Sequence, residues 1–430
     1  MTLSPGMRRV LEARWFRLTF AIALLALHLV AMKAAGRERL HVDFDSAPGG
    51  LVAIEPPHAP LMGPDEPMRW NRLLASRWDS QHYVAMTLRG YSECPAQDLR
   101  GADLPPMLTM CGFNFYPGYP FVASAVMRVT HVSADWALFF VSLTASLAFL
   151  YLWTGRALTS ALGTGTTYLA LVLLNVYTTG FALVTLQTEP LALLSIIGAF
   201  VALHRRQTWL GAVVAGAAGA FRVTGGAIGV AFALAIMARA LEGGPGKGRR
   251  MLAALPPAIV AGWGQLALFA WFALRYKDPL LYVHAHGQAY AHKVTLTEAF
   301  FPPVATVLAA CSKGLHEGIF ILFGMIFLAL GARDALRGFG LAEKVYWISL
   351  AVLSLGIALV GSAGLAYAGM NRYWLMVPLL FFSMATVLRR RPVALGLWGV
   401  ASLWHYWNVD LCVYLAQWDA GTICELNYRP

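Results

Sequence analysis

Long apolar runs separated by short clusters of arginine and lysine extend through nearly the whole sequence, and they leave it few ways to fold. A bilayer core takes about 20 apolar residues of helix to cross, and many of these runs approach that length. Of the 430 residues, 58% are hydrophobic and 13% are charged. Between the runs only 37–112 has the length for a core of its own, which excludes a soluble multidomain protein. The expected fold is all-α, a polytopic transmembrane helical bundle forming one integral-membrane domain over 1–430. The formal net charge of +11 does not point to nucleic acid. Basic residues close the apolar runs, as in "EARWFR", "HRR", "KGRR" and "LRRRP", where they set topology and meet anionic lipid.

Candidate spans lie at about 16–35, 113–131, 134–154, 160–179, 184–203, 209–222, 224–241, 252–274, 314–332, 345–367, 373–388 and 393–413. Basic clusters at 8–17, 205–206, 239–250, 333–344 and 389–391 belong on the cytoplasmic side. That places 37–112, the turn near 222–226, the long loop 275–312 and 368–372 outside. Under this assignment the four spans between 113 and 203 cannot all cross. The start of 113–131, "NFYPGYPF", carries prolines that disfavour a regular helix. About 11 crossings are therefore expected, with the N-terminus inside and the C-terminus outside. The first run has basic flanks and no small-residue cleavage pattern, so it reads as an uncleaved span. The Gly/Ala-rich pair 209–222 and 224–241 reads as a hairpin with "RVTGG" at its tip. Cys94 and Cys111 share the first outer loop, either as a disulfide or as two thiols; Cys412 and Cys424 are a weaker pair.

The first outer loop has two parts. "IEPPHAPLMGPDEP" (54–67) is an extended, proline-rich strap. From Trp70 to about Leu88, an apolar face of Trp70, Leu73, Leu74, Trp78 and Ala85 opposes Arg72, Ser76, Asp79 and Tyr83, which describes an interfacial helix. Asp79 follows Trp78, a headgroup-level residue, and one turn brings His82 and Tyr83 beside it. A carboxylate there can act as a general base or be a solvated loop residue. Glu189 and Arg222 fall inside apolar runs, at a cost of roughly 2.5–3.5 kcal/mol for a charge at the bilayer centre, so each marks a functional site or a helix-holding ion pair. Arg222 with its following glycines can clasp a phosphate. Arg372, beside Asn371 in "AGMNRYWLMVP", is a second phosphate ligand or a headgroup contact, with Tyr373 and Trp374 as interfacial anchors. In "YKDPLLYVHAHGQAY", Asp278, His284, His286 and Gln288 share an outer loop. No third and fourth ligand accompany its H-x-H pair, so these read as surface histidines and no metal site is expected. No phosphate-binding loop for nucleotides occurs.

These residues resemble a family. "RWDSQHYVAMTLRGYSE" followed by "FNFYPGYPF" is similar to the "WD-x-x-H-[FY] … GY … FFPGFP" stretch of the phosphatidylinositol-glycan class V (PIG-V) mannosyltransferases, members of the glycosyltransferase C (GT-C) superfamily. In order along the chain, "VDFDS" (42–46) resembles a "yDtS" element, "LQTEPLALL" resembles "YSEALFALL", and "GAFRVTGGAIGVAF" resembles an arginine–glycine span. "YKDPLLYVHAHGQAY" resembles a "GDP-x-x-F…Q-x-W" loop and "MNRYWLMVP" an "RY…P" segment. The chain departs at Thr-Glu-Pro, where the family has Ser-Glu-Ser or Ser-Glu-Ala, and in a longer insertion carrying Cys94 and Cys111. Its Ala/Gly/Arg-rich composition is nearer that of a bacterial homologue, which places it in the cytoplasmic membrane.

The resemblance implies a GT-C-like enzyme that moves mannose from a polyprenyl-phosphate donor to an acceptor hydroxyl on the extracytoplasmic side, with inversion. It implies Asp79 as the catalytic base, and His82, Tyr83, Glu189, Arg222, Asp278, Gln288, Asn371 and Arg372 as substrate-binding residues. No cofactor is required, and a divalent cation has no support in the residues. The acceptor is a glycolipid, a glycan or a protein. The alternative from another class is a transporter or flippase of a lipid-linked sugar, which would ordinarily show inverted repeats; none occurs here.

Overall fold

The computed structural model describes residues 4–40, 79–91, 113, 115–177, 179–242, 246–289, 315–362 and 370–411. Among them every regular element is helical and no strand occurs. In chain order these are α1 (Pro5–Glu12), α2 (Arg14–Leu40), α3 (Ser80–Arg89), α4 (Gly118–Thr130), α5 (Ala134–Trp153), α6 (Arg156–Leu162), α7 (Thr164–Asn175), α8 (Glu189–His204), α9 (Thr208–Phe221) and α10 (Gly225–Leu241). There follow α11 (Lys247–Val260), α12 (Trp263–Tyr276), α13 (Leu281–Ala289), α14 (Leu315–Ala335), α15 (Leu341–Ser362), α16 (Met370–Trp374), α17 (Pro378–Leu388) and α18 (Pro392–His405). The cysteines at 94, 111, 412 and 424, the strap 54–67 and the "VDFDS" element lie outside the described residues.

The described residues hold fewer membrane-length helices than the eleven crossings expected. Two, within α2 and at α5, are long and apolar enough to cross, or up to four if the bent pairs α6–α7 and α11–α12 each count as one. Several of the apolar runs are cut by Gly, Pro and polar residues, whereas 314–332 and 345–367 fall largely within the unbroken helices α14 (21 residues) and α15 (22 residues). Run 160–179 turns by 110° between α6 and α7 at Gly163, whose φ of +80° few other residues adopt. Run 252–274 bends by 54° between α11 and α12. Run 184–203 becomes helix only from Glu189, where Pro190 fits the first turn because its missing N–H would have no partner there. The helix within 113–131 begins at Gly118, after Pro117, and has 13 residues, a rise of about 20 Å against the ~30 Å of a bilayer core.

Two helices expected as individual crossings are shorter than a bilayer span and are buried by their neighbours. α8 is buried from Glu189 through Leu203 on nearly all sides, and α17 from Pro378 to Thr386. Helices apolar all round belong inside a bundle as readily as in lipid. α9 and α10 pack as the expected hairpin. Gly225 is fixed there by contact, since a Cβ would lie 1.8 Å from the Ala218 carbonyl oxygen. On its other side the hairpin meets α12 through small residues, with Gly264 against the Gly216 carbonyl and Ala220.

α3, the described part of the expected interfacial helix, is not an open surface helix. Tyr83, Val84, Met86 and Thr87 are buried, and the helix packs on α4 and α5. Tyr83, assigned to the polar face from its spacing, lies edge-on to Phe115 and Tyr119 at ring-centre distances of 5.5 and 5.3 Å. The helix has protein on the side where its pattern places water. A second aromatic cluster (Tyr91, Phe113, Tyr116, Phe272, Tyr276 and Tyr282) joins α3 to α12 and α13.

Candidate active site

Between α7 and α8 the chain runs without regular α-helix from Val176 to Thr188, with one short 3-10 turn at Gly180–Leu183, and from Tyr177 on it is buried along its described length. Irregular backbone is costly away from water unless neighbours satisfy its polar groups. Here serines do so. Ser142 and Ser146, one turn apart on α5, donate to the carbonyls of Gln187 (3.3 Å) and Leu183 (2.6 Å), and Ser80 at the start of α3 donates to that of Leu186 (3.2 Å). Gln187 Nε2 donates back to Ser80 Oγ at 3.3 Å. Gln187, Thr188 and Glu189 are thereby delivered, buried, to the N-terminus of α8, whose positive end favours a carboxylate.

Two arginines meet that carboxylate. Arg222 ends α9 in an extended conformation and sets Nη1 2.5 Å from Glu189 Oε1. Arg372, on α16, donates from Nε (3.0 Å) and Nη2 (2.8 Å) to the same oxygen. Nη2 also reaches Gln187 Oε1 at 2.8 Å, and Nη1 and Nη2 both donate to Asp79 Oδ2 at 3.2 Å. The side chain of Glu189 is 0% exposed, Arg222 11%, Arg372 23% and Asp79 29%. Arg222 also donates to Thr188 Oγ1 at 3.4 Å and lies 5.0 Å over the Tyr373 ring. A wholly buried lone carboxylate would be prohibitively costly; between two guanidiniums it is compensated. Arginine suits the place because its planar fork holds several acceptors at once.

Four residues singled out from widely separated segments, Asp79, Glu189, Arg222 and Arg372, are thus one network. Asp79 does not touch Arg222; Arg372 and Glu189 connect them. Tyr83 stands next to this network, and burial pushes its phenol above the ordinary range, with the Asp79 and Glu189 carboxylates acting the same way. It therefore serves as a neutral hydroxyl. His82 stacks on Phe115 at 4.4 Å. Asp278 is buried and bound within its own segment, accepting from the Leu280 N–H at 2.9 Å and facing His284 Nδ1 at 2.7 Å. The side chains of Gln288 and Asn371 lie outside the described residues. Trp374, expected as an interfacial anchor, is buried, and Tyr373 underlies Arg222; an aromatic pair at a span end looks alike in sequence whether it faces headgroups or protein.

The sequence reading passed over Gln187, Thr188 and Ser80. A signal was present: "LQTEP" puts three polar residues before a proline inside an apolar run. Two buried polar atoms on residues of this network's segments, Glu189 Oε2 and Thr224 Oγ1, have no hydrogen-bond partner among the described residues. No group of three or more His, Cys, Asp or Glu placed to hold a metal ion occurs among the described residues.

Beside the hairpin tip, one residue on from Arg222, opens a cleft of about 280 Å³ lined by Val223, Val230, Phe269, Tyr282, Leu353 and Ile357. The hydrogen-bonded side chains of Tyr116 and Gln265 also border it. No protein-family model matches this sequence, no curated protein does, and no solved structure matches the fold.

Proposed function

We propose that this chain is a membrane glycosyltransferase of the PIG-V-like, GT-C kind. It would move a sugar, most readily mannose, from a polyprenyl-phosphate donor to an acceptor hydroxyl on the extracytoplasmic face of a bacterial cytoplasmic membrane. One observation carries the reading: Arg222, Arg372, Glu189 and Asp79 form a single ion-pair network, and an apolar cleft begins at Val223, the residue after Arg222. A lipid phosphate asks for that combination of cationic and apolar surface, and transfer of its sugar asks for a carboxylate as base.

In this mechanism Asp79 takes the proton of the acceptor hydroxyl as its oxygen bonds to the anomeric carbon. The bond from that carbon to the phosphate oxygen breaks on the opposite side, which inverts the centre. Polyprenyl phosphate departs with the electron pair, and Arg222 and Arg372 bind its charge. Glu189 holds both guanidiniums in place, and Tyr83 and His82 flank the base.

The test is a donor-consumption assay on the full chain in nanodiscs, with radiolabelled polyprenyl-phosphate mannose, glucose or arabinose and a membrane extract as acceptor source. Wild type is expected to consume one donor, and Asp79→Asn to lose at least about 100-fold in rate while staying folded and inserted. Full activity in Asp79→Asn removes it as the base, and no consumption of any donor removes the transferase reading. A flippase would leave all three donors chemically intact while moving them between leaflets.

A further inference from the structure

Asp79 and an incoming phosphate require the same edge of one guanidinium. Arg372 offers two hydrogen-bonding edges. Along one, Nε and Nη2 hold Glu189 at 3.0 and 2.8 Å; along the other, Nη1 and Nη2 hold a single oxygen of Asp79 at 3.2 Å. The two carboxylates are not equivalent. Glu189 is wholly buried and also binds Arg222, so removing it would strand two charged guanidiniums. Asp79 has the longer bonds, is 29% exposed, and makes no capping hydrogen bond to its own helix.

Among the described residues the network is balanced, two guanidiniums against two carboxylates. A phosphate brings at least one more negative charge into a partly desolvated place, where like charges repel strongly. It is admitted without that penalty only when a carboxylate leaves, and Asp79 is the one free to go. A phosphate also improves on it geometrically, because it presents two oxygens to the two N–H groups that Asp79 meets with one.

We propose that Asp79 is a displaceable internal counter-ion. A phosphate-bearing ligand takes over the Nη1–Nη2 edge of Arg372, and the carboxylate it releases becomes the free base. The identity of that ligand as a lipid phosphate rests on the transferase reading; the exchange itself does not. The consequence is an order of events: while Arg372 holds Asp79 the base is engaged, so the donor binds first and its own phosphate arms the site for the acceptor.

The experiment measures binding of decyl phosphate, and separately of inorganic phosphate, to the full chain in nanodiscs by titration calorimetry. Asp79→Asn and Asp79→Ala are both expected to bind decyl phosphate about ten-fold more tightly than wild type, the scale of an ordinary coupling between two ligands. Arg372→Gln is expected to abolish it. Equal or weaker binding by the two Asp79 variants, with wild-type melting behaviour, overturns the exchange. A gain shared by inorganic phosphate assigns it to the free anion, and a gain confined to decyl phosphate assigns it to a lipid headgroup. Tighter binding by the variants in a protein that consumes no sugar donor keeps the exchange and removes the transferase; donor consumption with no gain in the variants does the reverse.

Discussion

Three guanidinium nitrogens converge on Oε1 of Glu189, from Arg222 once and from Arg372 twice. Glu189→Gln takes from Arg222 the carboxylate it pairs with and leaves Arg372 only the partly exposed Asp79, and is expected to cost about 3–5 kcal/mol of stability. Thermal melting in detergent checks this, and an unchanged midpoint would contradict it. Arg372→Lys keeps the charge but loses the fork that holds Glu189, Gln187 and Asp79 together. Transfer is expected to fall by about 100-fold or more, as when one preorganised donor to a charged transition state is lost, with melting changed far less than in Glu189→Gln. Parallel melting and rate measurements decide it. Glu189 and Arg222 were legible in the sequence because an ionisable side chain in an apolar run is conspicuous, whereas Asp79 and Arg372 stood out in outer segments beside interfacial aromatic residues. Gln187 and Thr188 were not, because a neutral polar residue beside apolar ones fits a helix surface equally well. Only its placement against Arg372 gives Gln187 a role.

The two helices buried at the middle of the bundle begin with a proline in the first turn, Pro190 in α8 and Pro378 in α17. Before Pro190 the polar residues Gln187, Thr188 and Glu189 are buried at the N-terminal end of α8, whereas the residues before Pro378, Trp374 to Val377, are buried and apolar. By composition 184–203 and 373–388 look like uninterrupted spans, because their apolar residues outweigh a single proline. The serines of α5 that support the irregular segment were equally hidden, since serine occurs throughout apolar helices. Ser142→Ala with Ser146→Ala is expected to destabilise by about 1–3 kcal/mol per orphaned carbonyl, read by melting, and to lower donor turnover by displacing Gln187 and Glu189. The hairpin, by contrast, was legible from its Gly/Ala content. Gly225→Ala is expected to cost about 1–3 kcal/mol or more, because the added methyl meets the backbone oxygen of Ala218 and cannot be relieved by a rotamer change. Wild-type melting in that variant would show that the tip can open freely.

For the whole molecule, the expected orientation places Ser4 inside and Arg89 outside, with α2 crossing between them; both residues are exposed. Single cysteines at these positions, in a background without the native cysteines, are expected to react differently with a membrane-impermeant maleimide. Position 89 should react in intact cells and position 4 only after permeabilisation; labelling of both from outside would reject the orientation. Composition and the spacing of apolar runs determined by themselves that the described part of this chain is all-helical, apolar and built around a few out-of-place charges, because burial of apolar surface and satisfaction of backbone groups allow little else. Which runs stay whole, which break, and which charges meet was decided by the tertiary structure. A carboxylate at 79, one at 189 and arginines at 222 and 372 are far apart along the chain, and only the packing of α3, α8, α9 and α16 makes their charges cancel one another.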